Sequence, residues 1–224
     1  MSQPLLFADP LAAADALTFA GRAAPLGDGA VRLRAADGVL VMTSAPLAPR
    51  GLMDSTPLVL GMRALAVDPE LVCDLVVEAS TLQASTDDAR AVILPDTALA
   101  PSWAGISPPR GSWVESETIA AATLATRAQW GIAAVAEGVP KDAGEDAVRA
   151  TRAAVWGVPD ADLHGLPLGV SFAAYALGFI AGEENAVVRT SGPWTRLTLA
   201  RGHVIVRGPA RSGLTEVRVT GTAR

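Results

Sequence analysis

The sequence predicts an α+β fold in which sheet-rich N- and C-terminal parts surround a central helical stretch. Short β-prone runs flank Asp37-Gly38 near the start, and runs rich in β-branched residues fill 185–208. Between them, alanine-rich segments at 115–138 and 141–157 each end at a glycine, a pattern typical of helices. A sheet at both ends and helices in the middle follow from these three observations.

The first element is predicted to be a helix over 10–21. Asp9 is suited to cap its N-terminus, and Pro10 is suited to its first position. A β-hairpin should follow, because an Asp-Gly pair between two apolar runs is a strong turn signal.

Within residues 54–69, a second helix is predicted that starts at Pro57 and ends before Asp68-Pro69. Thr56-Pro57 has the pattern of an N-cap followed by proline at the first helical position. The apolar side chains at helical spacing are Leu58, Met62 and Leu65. Two strands joined at 86–88 should complete this part of the chain.

Residues 95–114 are rich in Pro, Gly and Ser and are predicted to be a linker or irregular loop. The loop separates a first half, 1–94, with a helix and β-hairpins, from a second half, 115–224, with helices followed by a β-hairpin. We expect the two halves to pack as one compact unit. Trp103 and Trp113 lie in the loop, and we expect their rings to fold back onto the core.

The second half is predicted to begin with the helices over 115–138 and 141–157, the first starting at its first or second residue. Strands over 185–208 should follow, with a hairpin at Arg201-Gly202, and a last strand is predicted over 214–221.

The segment 166–182 carries no formal charge, which raises the alternatives of a membrane span and a buried helix. As a helix it would span ~25 Å, short of a ~30 Å hydrocarbon core. Acidic residues flank both ends, and no nearby Lys or Arg sets an orientation. We therefore expect a buried core helix with Tyr175 and Phe179 inside the protein, and no membrane association.

Two stretches of the second half echo stretches of the first. Residues 14–21 and 174–182 share Ala-x-Ala-Leu-x-Phe followed by Ala-Gly, and residues 32–38 and 196–202 share Arg-Leu followed by Ala and Gly. A helix–hairpin unit duplicated about a pseudo-twofold axis would explain the echo, and so would chance matches in an alanine-rich chain. The sequence leaves both explanations open.

Composition narrows the function classes. The chain of 224 residues has a net charge of −5 and a pI near 5.0, so we predict no nucleic-acid partner. The single cysteine, Cys73, excludes an intramolecular disulfide. Without signal-peptide features at the N-terminus, a cytoplasmic location is expected. No phosphate-binding loop, nucleophile elbow, zinc-binding or dinucleotide-binding motif is present, so we predict no catalytic residue, metal or cofactor.

Two Pro-Arg-Gly loops supply candidate ligand-binding residues. The loops at 48–56 and 107–117 each place an arginine just before a predicted helix, where free backbone N–H groups would join it in binding an anion. The candidate residues are Arg50, Arg110, Ser112 and Trp113, with Thr56 beside them. The alternative is that proline and glycine shape turns while the arginine is only solvated.

Glu183 and Glu184 follow a predicted helix C-terminus, where negative charge opposes the helix dipole. We expect arginine partners for them, with Arg149, Arg152 and Arg189 as candidates, or a role as polar groups of a ligand site.

These features leave the biochemical function unknown. The favoured hypothesis is a soluble, non-enzymatic protein that binds a partner protein or self-associates, for instance as a homodimer. One alternative is a domain or enzyme that binds a small anionic molecule between the two halves. Another is transcription regulation through the helices over 116–157.

Overall fold

Helices and strands both occur throughout residues 4–51 and 53–208, the part of the chain described by a computed structural model. The fold is therefore α+β, as predicted. The strands are β1 Leu5–Leu6, β2 Ala30–Ala36, β3 Val39–Leu47, β4 Leu58–Ala66, β5 Cys73–Glu78, β6 Gln83–Ala84, β7 Ala91–Ile93, β8 Val114–Ala120, β9 Asn185–Ser191, β10 Trp194–Leu199 and β11 Gly202–Arg207. The helices are α1 Pro10–Ala23, α2 Ala121–Gly138, α3 Glu145–Trp156 and α4 Gly169–Ala176, with short 3-10 helices at Ala79–Thr81, Ser102–Gly105 and Ala161–Leu163. The strand predicted over 214–221 lies outside the described residues.

One eight-stranded antiparallel sheet joins the two halves of the chain. Its order is β5-β2-β3-β4-β11-β10-β9-β8, so first-half strands occupy one side and second-half strands the other. The halves meet where β4 pairs with β11, with Gly61 opposite Val204. A separate small sheet, β1-β7-β6, lies in the first half.

The helix start and the hairpin turn of the first half are as predicted. The Asp9 side chain accepts a hydrogen bond from the Ala12 N–H at 2.9 Å, and Pro10 begins α1. Asp37 and Gly38 both have positive φ, 54° and 79°, between β2 and β3. This is the backbone that a two-residue hairpin of matching twist requires.

The helix predicted over 54–69 is wrong, because residues 58–66 form β4. β4 lies between β3 and β11 near the middle of the sheet, where both faces are covered. Leu58 and Leu60 point to one face and Val59 to the other, and all three are buried. A strand buried on both faces has no polar alternation, so its apolar run also fits a helical spacing.

The first helix of the second half starts later than predicted. Residues 114–120 form the edge strand β8, and α2 begins only at Ala121. Most of β8 is exposed while Ile119 is buried, which is the pattern of a strand that touches the core on one face.

The uncharged segment is only partly helical, and the prediction for it holds in part. α4 covers just Gly169–Ala176, and the chain leaves the helix through Gly178 at φ 70°. Phe179 is 1% exposed, as expected, but Tyr175 is 42% exposed and the expectation of its burial is wrong. α4 ends at Ala176, so Tyr175 lies in the helix and Phe179 lies beyond it. The two rings therefore do not share one face of a helix, as we had assumed. No helix within the described ranges combines the length and apolar character needed to cross a bilayer.

The sheet is covered on both faces. The larger core lies between one face and the helices, where Val59, Leu197 and Val204 pack with Phe19 of α1 and Ala173 of α4. The smaller core lies on the other face and includes Leu60, Trp194 and Ile205 beneath the segment 101–113. Trp103 is buried and Trp113 half-buried in this second core, which confirms that both rings fold back.

Candidate functional site

A groove of about 780 Å³ runs between the segment after β3 and helices α3 and α4. One wall comes from residues 45–50 with Asp54 and Thr56, and the opposite wall is α3 from Asp146 to Trp156. Trp103 and the turn at 26–28 close one side of the groove.

The floor of the groove is aromatic and rigid. Trp156 stacks on Phe172 with ring centroids 4.4 Å apart and an interplanar angle of 16°. The Trp103 Nε1–H donates to Asp28 Oδ2 at 2.7 Å, so this buried ring has its one polar group satisfied. Leu26 and Leu47 add aliphatic surface beside the rings. The floor therefore offers apolar contact at low conformational cost.

Arginines form the rim of the groove. Arg50 Nη1 lies 3.4 Å and Arg149 Nη2 lies 3.2 Å from Oδ1 of Asp146, whose side chain is 91% exposed. The Arg149 Nε is buried and has no hydrogen-bond partner. Arg152 also lines the groove and makes no salt bridge with the described part of the chain. The rim thus keeps donor capacity that the protein itself does not use.

Asp54 organises the loop that presents Arg50. Its carboxylate accepts from the backbone N–H of Arg50 at 2.8 Å and of Thr56 at 2.9 Å. Hydrogen bonds from Thr56 and from the Arg50 backbone hold the pKa of Asp54 below its ordinary value. Asp54 therefore stays ionised and fixes the loop.

The helix-terminus geometry expected at the two Pro-Arg-Gly loops is absent. The chain after Arg50 leads into β4, and the chain after Arg110 leads into β8. Both predicted helices were strands, so neither arginine directly precedes a helix in the chain. Arg50 instead lies beside Asp146 in the first turn of α3.

Arg110, Ser112 and Trp113 lie away from the groove, beside β9 and β10. The Arg196 guanidinium lies 4.6 Å from the centre of the Trp113 ring, and Trp113 Nε1–H donates to the Pro109 carbonyl at 3.1 Å. Ser112 has φ 61°, and Arg110 is exposed. Burial and then the nearby Arg189 lower the pKa of Arg196.

Glu183 and Glu184 lie in the turn between α4 and β9. The Glu184 carboxylate accepts from the backbone N–H of Ala181 at 3.0 Å and of Ala200 at 2.8 Å. It therefore ties this turn to the β10–β11 turn instead of pairing with an arginine, while Glu183 is exposed. Of the arginine partners that we proposed, Arg189 pairs with Glu115 at 2.7 Å.

The seven candidate residues thus fall in three places, and of these only Arg50 and Thr56 line the groove. Sequence reasoning did not include Arg149, Arg152 and Trp156 in a binding site. They lie on α3 at intervals of three and four residues, which places them along one face of that helix. That spacing is the signal that could have identified the second wall of the groove.

Both histidines have hydrogen-bonding neighbours outside the groove. His164 Nδ1 lies 3.1 Å from Glu117 Oε2, and His203 Nδ1 lies 3.2 Å from Thr198 Oγ1. Burial, then Arg196 and Arg189, lower the pKa of His203 below its ordinary value. Across the described ranges, no group of three or more His, Cys, Asp or Glu side chains is placed to hold a metal ion.

Comparison with known proteins finds distant structural similarity. A search of curated proteins finds no match to this sequence. A DnaN sliding clamp (DNA polymerase III subunit beta) from Bartonella birtlesii, bound to griselimycin, aligns at 11% identity over 96% of this chain and 67% of the clamp, with a TM-score of 0.48. A putative DNA polymerase III beta subunit from Eubacterium rectale aligns at 7% identity with the same coverage and TM-score. The DNA polymerase III beta subunit of Thermotoga maritima aligns at 11% identity over 98% of this chain and 68% of that subunit, with a TM-score of 0.48.

This similarity corrects one prediction made from composition. We predicted no nucleic-acid partner from the net charge of −5, yet the three solved structures named above are described as DNA polymerase III beta subunits. The prediction that excluded a nucleic-acid partner was wrong, because a net charge averages over the whole surface. Neighbouring arginines, such as the cross-strand pair Arg189 and Arg196, do not show in that average.

Two family models match the chain one after the other. Residues 1–105 match a domain of unknown function, DUF8010, and residues 108–211 match a second domain of unknown function, DUF8185. The two matches meet inside the segment 95–114. The chain is therefore similar to two adjoining domains whose functions are undescribed.

Proposed function

We propose that this chain is a non-enzymatic binding protein and that its groove holds an acidic segment of a partner protein. The observation that carries the proposal is the pairing of a rigid aromatic floor with a rim of three arginines, Arg50, Arg149 and Arg152. Aromatic pockets anchor an apolar side chain, and arginines at a rim select carboxylates that flank it.

The carboxylates of the groove leave the arginines available. Asp28 accepts from Trp103 and from the Ala30 N–H, and Asp54 accepts from backbone N–H groups. Asp146 faces Arg50 and Arg149, and Glu145 lies 4.0 Å from Arg149, all through exposed ion pairs. Such pairs are worth less than ~1 kcal/mol, so a partner carboxylate can replace Asp146 at small cost.

The test uses peptides selected from a random display library against the full chain, labelled and measured by fluorescence anisotropy. We expect the selected peptides to carry Asp or Glu beside an aromatic or aliphatic residue. Arg152→Glu should weaken their binding at least tenfold. Arg110→Glu, which makes the same charge change at an exposed site outside the groove, should change it less than twofold.

Two outcomes would overturn the proposal that the groove holds an acidic segment of a partner protein. One is the selection of no peptide, or of peptides that bind both variants equally. The other is a single-stranded oligonucleotide that binds more tightly than the peptides and depends on Arg152, because the groove would then select a phosphate backbone.

A small anionic molecule is a second candidate occupant. The groove volume of about 780 Å³ falls within the ~300–1,000 Å³ of small-molecule sites, and the Trp156–Phe172 stack suits a flat ring. A thermal-shift screen of aromatic carboxylates and nucleotides checks this candidate. A shift that Arg152→Glu abolishes would favour it over a peptide.

Self-association is part of the same proposal, and the edges of the sheet are where we place it. β5 and β8 are the end strands of the eight-stranded sheet, and an edge strand can pair with a second copy. Light scattering after size-exclusion chromatography should give twice the chain mass of 22.9 kDa. A mass of one chain at all concentrations would remove the homodimer from the proposal.

We also propose that the halves arose by duplication. The strand order mirrors about the β4–β11 junction, so β2, β3 and β4 correspond to β9, β10 and β11. Phe19 and Phe179, equivalent in the sequence echo, stack with centroids 6.2 Å apart. The sequence similarity of the hairpins does not follow this correspondence, because it aligns β2–β3 with β10–β11 and not with β9–β10. An experimental structure in which the α1–β4 and α4–β11 units superpose poorly would refute duplication.

A further inference from the structure

A second, smaller pocket of about 160 Å³ lies where the two halves meet. It is separate from the groove and shares no residue with it. Its lining comes from α1, β4, the chain after α4 and the β10–β11 turn, and comprises Asp15, Thr18, Phe19, Arg22, Arg63, Leu177, Gly178, Phe179 and Arg201.

The charges in this pocket do not balance. Arg22, Arg63 and Arg201 line the pocket together with one acidic residue, Asp15, so the lining residues carry two more positive than negative charges. Arg63 donates to Asp15, with Nε 2.9 Å from Oδ2, and also to the Arg201 carbonyl. Arg201 makes no salt bridge within the described ranges. Like charges held together are unfavourable unless an anion joins them.

The backbone is shaped to admit one of these arginines. Gly178 has φ 70°, and a Cβ at this position would overlap the Arg22 guanidinium. Arg22 Nη1 donates to the Leu177 carbonyl at 3.1 Å, which fixes its head beside the pocket. A glycine here is required both by the backbone conformation and by the position of the arginine.

The walls strengthen attraction to an anion. Phe19 and Phe179 are 2% and 1% exposed and line the pocket, so part of its lining is apolar. Coulomb attraction grows as the effective dielectric falls. The pocket volume of about 160 Å³ is enough for one small oxyanion with a few waters.

We propose that this pocket binds a phosphate group, either inorganic phosphate or the phosphate of a small metabolite. Arginine guanidiniums recognise phosphate oxygens through paired N–H donors, and here the three arginines come from both halves. Binding would therefore clamp α1 and β4 of the first half to the β10–β11 turn of the second.

The test is calorimetric titration of the full chain with inorganic phosphate at fixed ionic strength. Arg201→Gln should weaken phosphate binding at least tenfold, because this exposed arginine adds positive charge without supporting the core. Arg201→Lys should recover part of the loss. Arg34→Gln, on the opposite face of the sheet, should leave affinity within twofold of wild type.

Asp15→Asn should change the affinity for phosphate in the opposite direction to Arg201→Gln. Removing the one carboxylate should strengthen phosphate binding severalfold, although it also removes a partner of Arg63. A purely structural cluster would show no such gain, so the opposed signs separate binding from packing. Arg152→Glu, in the groove, should leave phosphate affinity unchanged, which keeps this site distinct from the proposed function.

The source of the phosphate is resolved by a second ligand. Glycerol 3-phosphate that binds more tightly than inorganic phosphate would assign a metabolite, and equal or weaker binding would assign the free ion. Failure of phosphate to bind more tightly than chloride would overturn the proposal, and so would equal affinities for Arg201→Gln and Arg34→Gln.

Discussion

Replacement of Phe179 by alanine should be among the most damaging single changes in this protein. The ring is 1% exposed and stacks on Phe19 of α1. It also fills the space that a Cβ would occupy at Gly202, and touches the space beside Gly61. Because glycines have no side chains to move into the hole, the cavity should persist.

The expected loss follows from that cavity. Phe→Ala changes in cores cost roughly 3–5 kcal/mol, and the upper part of the range applies where neighbours cannot relax. For a chain of this length each kcal/mol lowers Tm by roughly 2–4 °C, so Tm should fall by about 6–20 °C. Leu11→Ala, at a side chain 82% exposed on α1, is the control and should change stability by less than ~0.5 kcal/mol.

The assay is urea denaturation followed by circular dichroism, with a double-mutant cycle. Phe19→Ala alone and with Phe179→Ala should give a coupling of about 0.5–1.5 kcal/mol for the stacked pair. A loss below ~1 kcal/mol for Phe179→Ala would refute the cavity argument. Two separate unfolding transitions in the wild type would refute the shared core.

Three further predictions test local features. Gly61→Ala should lower the free energy of unfolding by roughly 1–3 kcal/mol, because its Cβ would overlap a leucine of the second half. Gly21 has open space around it in α1, so Gly21→Ala should raise the free energy of unfolding by about 0.5–1 kcal/mol in the same urea assay. A hydrogen bond from Arg32 lowers the pKa of Asp74 below 3.8, so the stabilisation is complete above that value and is lost as pH falls through the folded pKa. Wild type should therefore lose more stability on acidification than Asp74→Asn, though by less than ~1 kcal/mol for so exposed a pair. His203 should titrate below 6.5 by NMR, because burial and nearby arginines lower its pKa; a midpoint above 6.5 would contradict the packing around it.

Local signals in the sequence predicted the parts of the fold that local chemistry decides. The Asp9 cap and the Asp37-Gly38 turn depend on a few adjacent residues, and both are as expected. β4 was misread because its burial on both faces depends on β11, a strand more than 130 positions away. Apolar spacing within one segment carries no information about such a partner.

The candidate site was predictable only in part for the same reason. Arg50 was chosen for its Pro-Arg-Gly loop, and it does line the groove. The facing residues Arg149 and Arg152 belong to a helix about one hundred positions later, and the fold alone brings them opposite Arg50. Glu184 was expected to pair with an arginine, but its carboxylate accepts hydrogen bonds from backbone N–H groups of two turns instead.

The pairing of β4 with β11 has a consequence for how the chain is made. β4 ends at Ala66, and its partner begins at Gly202, 136 positions later. At synthesis rates of about 5–20 residues per second, the edge of β4 waits roughly 7–27 s for its neighbour. During that interval a long apolar strand edge is open to other chains. The nascent first half is therefore the aggregation-prone stage, and its need for protection ends only when β11 has been translated.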